Sequence, residues 1–316
     1  MILTVTLNPS VDRTLFVEKM TPFDTNRVVH AETDAGGKGV NLSRVVAELG
    51  GETLALGFLG GGPGAFVRSV LDLQGVHHDF IEVPGETRVN VSIEEEEHQH
   101  PPTVFNERGP NIDPEHWGML LDKCRAAAPR AKWACLGGSV PPGLPKDAFL
   151  TLGRLFKEAG CKLVIDADGE PMRIAMQAKP DLIKPNMSEA ERLLGHPLRT
   201  LAQTVDSVRE FLRDGIEYPI ISRGKAGAVL GTRERIYIAH SPEVKARSTI
   251  GSGDSMIAGF LWALTSGKTP AESFAWANAA GAATATTNGA EIARRPVVLE
   301  LLEQVRMEVA PAAPSG

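Results

Sequence analysis

In Ser248-Thr249-Ile250-Gly251-Ser252-Gly253-Asp254-Ser255, two glycines and an acid stand directly before apolar residues at positions 256, 257, 260, 261 and 264. That spacing is helical, and Gly267 stands where such a helix should stop. The glycines therefore fall at a helix N-terminus. Unpaired backbone N–H groups and the positive end of the helix dipole converge there, and residues lacking a Cβ let an anion approach closely. Donors for a moving phosphoryl group, beside a carboxylate able to take a hydroxyl proton, are what phosphoryl transfer to an alcohol requires. A plain helix cap at Asp254 explains the same residues, and this stretch alone does not choose.

Other stretches pose the same choice. Asp34-Ala35-Gly36-Gly37-Lys38-Gly39-Val40-Asn41 opens a second helix from a glycine turn, now with a lysine in a nest that favours phosphate. Asn186 and Glu189 would share the first turn of a helix. They are oxygen ligands of the kind Mg²⁺ takes through its waters, or the two halves of a capping box. Asp166 and Asp168 read either as metal ligands or as a strand-end turn. Gly60, Gly62 and Ala65 fit a loose dinucleotide fingerprint, but at a later strand than the first and with only Asp79 or Glu82 near the acidic position. Gly267-Lys268-Thr269 resembles the tail of a phosphate loop without its leading glycine. His98 and His100, beside a run of glutamates, fit a solvated hairpin tip better than a metal site.

The elements that must carry these residues alternate. Ile2 to Leu7 reads as a buried first strand ending in the turn Asn8-Pro9-Ser10-Val11-Asp12, which leaves a carboxylate at the strand's C-terminal end, where open α/β sheets bind ligands. Arg13 to Lys19 with Arg27 to Thr33, and Thr87 to Glu97 with Thr103 to Glu107, alternate as hairpin strands. Arg88 and Asn90 share one face of their strand. From Pro114 onward strands and helices alternate regularly, which predicts a parallel, doubly wound sheet. Arg223-Gly224-Lys225-Ala226-Gly227 is a glycine turn after the strand Tyr218 to Ser222, equally a hairpin. Ala275 to Thr287 is crowded with small residues, allowing close helix packing or room for a flat base. Residues 310 to 316 read as a frayed tail.

The chain has 316 residues, net charge −6 and 42% hydrophobic content, enough for a sizeable core. Mild acidity with scattered Lys and Arg argues against nucleic acid or an anionic membrane as partner. Cys124, Cys135 and Cys161 form no C-x-x-C pair and read as buried thiols in a reducing compartment. With neither a basic leader nor a bilayer-long apolar run, a cytoplasmic protein is expected.

Taken in order, Thr6-Leu7-Asn8-Pro9-Ser10-Val11-Asp12, Gly36-Gly37-Lys38-Gly39-Val40-Asn41, Thr87-Arg88-Val89-Asn90, Lys184-Pro185-Asn186 with Glu189, and Gly251-Ser252-Gly253-Asp254 resemble the ribokinase-like carbohydrate kinases of the PfkB family, in the branch acting on phosphorylated sugars. The resemblance spans almost the whole chain. It implies one ribokinase-like kinase domain over residues 1–316, a mostly parallel doubly wound sheet flanked by helices, and a small β-sheet lid inserted at about 13–35 and 87–107. It implies Asp254 as catalytic base, with the backbone of Gly251, Ser252 and Gly253 as anion hole. Asp12, Gly37, Asn41, Asn90 and Ser139 would hold the sugar, and Lys38 and Arg88 its existing phosphate. Asn186 and Glu189 would hold hydrated Mg²⁺, while Lys184, Asn186, Ser222, Gly224, Gly227 and Asn278 would line the ATP site. ATP and Mg²⁺ are thus the implied co-substrate and metal, with room for a monovalent cation, and a homodimer through the lid is the implied assembly.

The implied activity is 1-phosphofructokinase, with tagatose-6-phosphate kinase and 6-phosphofructokinase as neighbours. Three residues depart from the pattern: Ser252 stands for the usual Ala, Arg223 for a common Leu beside the nucleotide, and Asp168 for Ser. An NAD-dependent oxidoreductase built on Gly60 to Ala65 leaves residues 184–189 and 251–254 unexplained. A sugar-binding protein without turnover leaves Asp254 idle.

Overall fold

The computed structural model describes residues 1–95 and 102–310. The histidine-bearing hairpin tip at 98–101 and the frayed reading of residues 311–316 lie outside the described residues. In chain order, β1 (Ile2–Thr6) is followed by β2 (Ser10–Val17), β3 (Val28–Gly36), α1 (Lys38–Glu48), β4 (Thr53–Leu59) and α2 (Gly61–Leu73). Then come β5 (His77–His78), β6 (Ile81–Glu82), β7 (Arg88–Glu95), β8 (Thr103–Phe105) and α3 (Pro114–Ala127). The regular part runs β9 (Trp133–Gly137), α4 (Ala148–Glu158), β10 (Lys162–Asp166), α5 (Gly169–Ala175), β11 (Leu182–Ile183), α6 (Met187–Leu194), α7 (Leu201–Arg213) and β12 (Tyr218–Ser222). It closes with β13 (Ala228–Gly231), β14 (Ile236–His240), α8 (Ser252–Thr265), α9 (Pro270–Ala285), α10 (Arg295–Leu302) and β15 (Arg306–Val309).

The large sheet has the order β15-β14-β13-β12-β11-β10-β9-β1-β4-β5, with β6 also pairing β4. β1 pairs β4 and β9 in parallel, and the parallel run continues from β9 through β12. Because β1 is covered on both faces, all five of its residues are buried, as parallel strands require. Leu3, Val5, Leu136 and Leu163 pack towards α3 to α7. Ile2, Trp133 and Val164 pack towards α1, α8, α9 and α10. The sheet is thus wound on both faces, as alternation in the sequence led one to expect. Cys124 and Cys161 belong to the first packing layer and Cys135 to the second, all three as free, buried thiols. Burial pushes the Cys124 thiol up to about 12. Among the described residues no helix is long and apolar enough to cross a membrane.

Beyond β12 the sheet turns antiparallel. Gly224 to Gly227, open between a loop and a hairpin on the sequence, is a hairpin: β12 pairs β13 antiparallel, with Ser222 opposite Ala228.

A separate sheet of order β3-β2-β7-β8 forms the lid. Its two hairpins, β2–β3 and β7–β8, are joined by a parallel pairing of β2 with β7 that sets Asp12 opposite Asn90. Asp12 therefore lies inside β2, not in the turn after β1 where the sequence placed it, since strand geometry resumes at Ser10, immediately after Pro9. Only Gly37, at φ 107°, separates lid strand β3 from α1. A Cβ there would stand 2.9 Å from Thr6 Cγ2 and 3.1 Å from Pro9 Cα, so the junction is tight as well as left-handed.

Candidate active site

β1 connects to β4 on one side and is flanked by β9 on the other, so strand order reverses beside it, the place where such sheets leave a crevice at their carboxyl ends. A cleft of about 1330 Å³ opens there. Its lining includes Asp12, Gly37, Lys38, Asn41, Arg88, Asn90, Ser139, Lys184, Asn186, Glu189, Ser222, Gly224, Gly227, Gly251, Ser252, Gly253, Asp254 and Asn278. The structure thus brings to one cleft the site residues that the family resemblance implied, while Gly60 to Ala65, Arg223 and Gly267 to Thr269 lie outside its lining.

Asp254 is buried in the first turn of α8. It does not cap the helix: the capping position is Gly251, at φ 74°, and no side chain satisfies the N-terminal donors. Instead its Oδ2 accepts a 2.9 Å hydrogen bond from Asn41 Nδ2. Burial and the nearby charge of Asp166 push the Asp254 carboxyl up to about 7, against the pull of Lys38, Asn41 and Lys184. A carboxyl near neutrality is matched to proton abstraction at physiological pH. Asn41, implied as a sugar ligand, thus also fixes the carboxylate, and its own Oδ1 is buried with no partner among the described residues.

Lys38, at the start of α1, pairs with Asp166 at 3.0 Å. Asp166 ends β10, a residue the sequence left between metal ligand and turn. Burial works to raise its carboxyl, but Lys184 and Lys38 outweigh this and hold it below the ordinary value. Lys184, also buried, points its ammonium at Gly253, where an added Cβ would meet Nζ at 2.8 Å. Lys38 and Arg88, implied to face one phosphate, both line the cleft but keep different partners. Arg88 Nε donates to Asn8 O at 3.2 Å and Nη1 to Glu107 O at 3.3 Å, on the lid side.

The lid side is polar and incompletely paired. Asp12 Oδ1 accepts from Asn90 Nδ2 and Ser10 Oγ, each at 2.8 Å. Asn8 Nδ2 donates to Ser139 Oγ and to Arg108 O, each at 3.0 Å. The Oδ1 atoms of Asn8 and Asn90 are buried without partners among the described residues. Orphaned acceptors of this kind call for donors from a ligand, and a hydroxyl-rich molecule supplies them. The sequence quoted Asn8 only as part of a motif; its contacts across 131 residues leave no local signal.

At the other end Asn186 and Glu189 form the full capping box: Asn186 N–H donates to Glu189 Oε2 at 2.8 Å and Glu189 N–H to Asn186 Oδ1 at 2.9 Å. Both still line the cleft, and Glu189 Oε1 is not used in the box. Asn278 Nδ2 donates to Phe274 O at 2.8 Å. Gly281, Ala282 and Ala285 beside it make the small-residue wall of the cleft. Asp168 caps α5 and pairs with Arg192 at 2.9 Å, while Arg223 lies outside the cleft lining. The dinucleotide reading of Gly60 to Ala65 fails on space. Gly60 N–H donates to Thr87 Oγ1 at 3.0 Å, and a Cβ on Gly60 would lie 2.5 Å from both Val83 O and Gly85 O. Gly267-Lys268-Thr269 leads into α9, which Thr269 caps in a box with Glu272.

The sequence matches the family described as pfkB family carbohydrate kinase over residues 5–296. It is 34% identical over 309 residues to a 1-phosphofructokinase of Borreliella burgdorferi, covering 98% of each chain. It is 33% identical over 307 residues to a 1-phosphofructokinase of Bacillus subtilis, covering 97% of this chain and 99% of that one. The structure of Escherichia coli phosphofructokinase-2 in complex with potassium is similar with a TM-score of 0.89 at 25% identity, covering 96% of this chain and 98% of that chain. With a helix N-terminus left open beside a buried acid, and with these similarities along nearly its full length, the chain belongs to the pfkB family of carbohydrate kinases, phosphotransferases whose acceptor is an alcohol group.

Proposed function

We propose that the chain transfers the γ-phosphoryl group of ATP to the 6-hydroxyl of fructose 1-phosphate, giving fructose 1,6-bisphosphate and ADP. The observation that carries this acceptor is the likeness over 97–98% of the chain to two 1-phosphofructokinases. Tagatose-6-phosphate kinase and 6-phosphofructokinase are the neighbouring activities.

In this proposal Asp254 is the general base, and the N–H groups of Gly251 to Gly253, which no side chain caps, are the anion hole. Asp12, Asn41, Asn90 and Ser139 hold sugar hydroxyls, with Gly37 allowing the backbone close approach, and Arg88 faces the phosphate that the sugar already carries. Lys184, Ser222, Gly224, Gly227 and Asn278 line the nucleotide end. Among the described residues no group of three or more acidic, His or Cys side chains could hold a metal. Mg²⁺ is therefore proposed to enter with the nucleotide and keep its waters, with Asn186 and Glu189 as outer partners. Once bound it supplies neutralising charge to the phosphate oxygens.

The same proposal takes residues 1–316 as one kinase domain with its lid at about 13–35 and 87–107. The homodimer implied for the lid is supported by Val28, Val29, Val104 and Phe105, which stand exposed on it. A sedimentation measurement showing a monomer would remove that assembly. The potassium-bound relative supports assaying turnover with and without K⁺.

A coupled assay for ADP over fructose 1-phosphate, tagatose 6-phosphate, fructose 6-phosphate, free fructose and ribose tests the acceptor. The highest kcat/KM is expected for fructose 1-phosphate. A maximum at tagatose 6-phosphate or fructose 6-phosphate moves the assignment to that neighbour, and a maximum at a free sugar overturns the phosphosugar reading.

A further inference from the structure

We infer that Lys38, held by Asp166, attends the phosphoryl group in transfer and not the phosphate that the acceptor already carries; this rests on the kinase reading of the cleft. The two cations that one dianion would need are in different company. From the start of α1, the stem of Lys38 passes over Gly137, whose absent Cβ would lie 3.3 Å from Lys38 Cβ. Its ammonium ends at Asp166, 3.0 Å away, at the carboxyl end of β10. The carboxylates whose charge acts on Lys38 are Asp166, Asp254 and Glu189, and none of them belongs to the lid. Those that act on Arg88 are Asp12 and Glu107, and neither belongs to the base's neighbourhood.

Asp166 gives up water to meet a Lys38 side chain that stays 34% exposed, and such a half-buried ion pair is a poor source of stability, because desolvation and solvent screening offset most of the attraction. Asp166 is 6% exposed, and among the described residues its one side-chain hydrogen-bonding or ion-pairing partner is Lys38. The pair is better explained by where it leaves the ammonium. During transfer the acceptor's hydroxyl oxygen bonds to the γ-phosphorus and its proton passes to Asp254. The bond from that phosphorus to the β,γ-bridging oxygen breaks, and its electron pair stays on ADP. Negative charge on the oxygens of the group in flight is what a fixed cation stabilises. Asp166 is on this account a positioning residue, which decides where the Lys38 charge stands.

Lys38→Met, Asp166→Asn and Arg88→Ala separate the two assignments. The dissociation constant for fructose 1-phosphate is measured by calorimetry without nucleotide, and kcat is measured at saturation. Lys38→Met is expected to lower kcat by roughly 10² to 10³, the range for losing one preorganised stabilising group. The sugar-phosphate dissociation constant should stay within about threefold, because uniform binding is not what was removed. Arg88→Ala is expected to raise that constant about 30-fold or more. Asp166→Asn, nearly isosteric, should reproduce the Lys38→Met split at smaller amplitude, and it serves if Lys38→Met does not fold. A Lys38→Met protein that binds fructose 1-phosphate tens of fold more weakly while keeping its kcat overturns the assignment, and an unchanged kcat in Asp166→Asn overturns the positioning role. Repeating the kcat comparison with free fructose keeps this test apart from the choice of acceptor. Loss of kcat there too supports the assignment even if another sugar proves to be preferred.

Discussion

At the start of α2 three glycines and Pro63 follow a strand, and at the start of α8 two glycines and Asp254 follow a loop; on the sequence both read as backbone left bare for a ligand. At Gly60 the bareness serves packing. Gly60 is pressed between Val83 O and Gly85 O, its N–H is taken by Thr87, and Pro63 has no N–H to offer. At α8 the donors are left largely open: among the described residues no side chain caps them, Ser252 N–H reaches only Thr249 O at 3.3 Å, Ser252 Oγ is buried without a partner, and Lys184 points at Gly253. A glycine-rich helix start is an anion site only when its donors remain unused, and that depends on what the rest of the fold lays across it.

Substitutions at the two turns should diverge accordingly. Asp254→Asn is expected to lower kcat by roughly 10² to 10⁴, the usual range for a general base. In the unaltered protein kcat/KM, which follows ionisations of the free enzyme, should fall as pH drops below about 7, where the carboxyl takes up its proton. A mutant with near-normal turnover would make the two turns equivalent.

The same substitution should stabilise the free protein. The folded carboxyl sits at about 7 against an ordinary 3.8, so between those values the native state holds a proton that the unfolded chain has released. Stability then falls as pH rises through that window, by a total on the order of 4 kcal/mol. Asparagine carries no such charge. Urea unfolding should show Asp254→Asn more stable than the parent at pH 8 and no better below pH 4; equal stability at pH 8 would mean that burying this charge costs nothing.

Gly60→Ala comes next, at about 1 to 3 kcal/mol of lost stability, because the new methyl group meets backbone on both sides. Turnover per folded molecule should hold, and a large fall in kcat without loss of stability would reopen a ligand role for α2. The smallest effect belongs to Gly62→Ala. No atom stands within 4 Å of the added carbon, so thermal midpoint and kcat should stay close to the parent's, with a change in stability of about 0.5 kcal/mol or less.

What the sequence made legible was periodic or local. The alternation after Pro114 announced the parallel sheet, and the spacing of Asn186 and Glu189, open on the sequence between Mg²⁺ ligation and a capping box, does form the box in the structure. The polar contacts that build the site are long-range and left no trace in spacing. Asn41 meets Asp254 across 213 positions. Lys38 meets Asp166 only because the strand order sets β10 two places from β1, the strand on which α1 packs. Asp12 was misplaced for a related reason: Pro9 marks a turn, but only the parallel pairing of β2 with β7 shows that strand resumes at Ser10.

The three sulfhydryls offer a clock. Cys124 and Cys161 lie under the helices on one face of the large sheet and Cys135 under those on the other, and none is more than 3% exposed. Since only an exposed thiolate reacts, a disulfide reagent is held off until a helical layer lifts. With closing faster than labelling, each modification rate reports the free energy of that opening. Single-cysteine versions of the protein would then time the two faces of one sheet separately, and a shared rate would mean that the whole molecule comes apart as one unit.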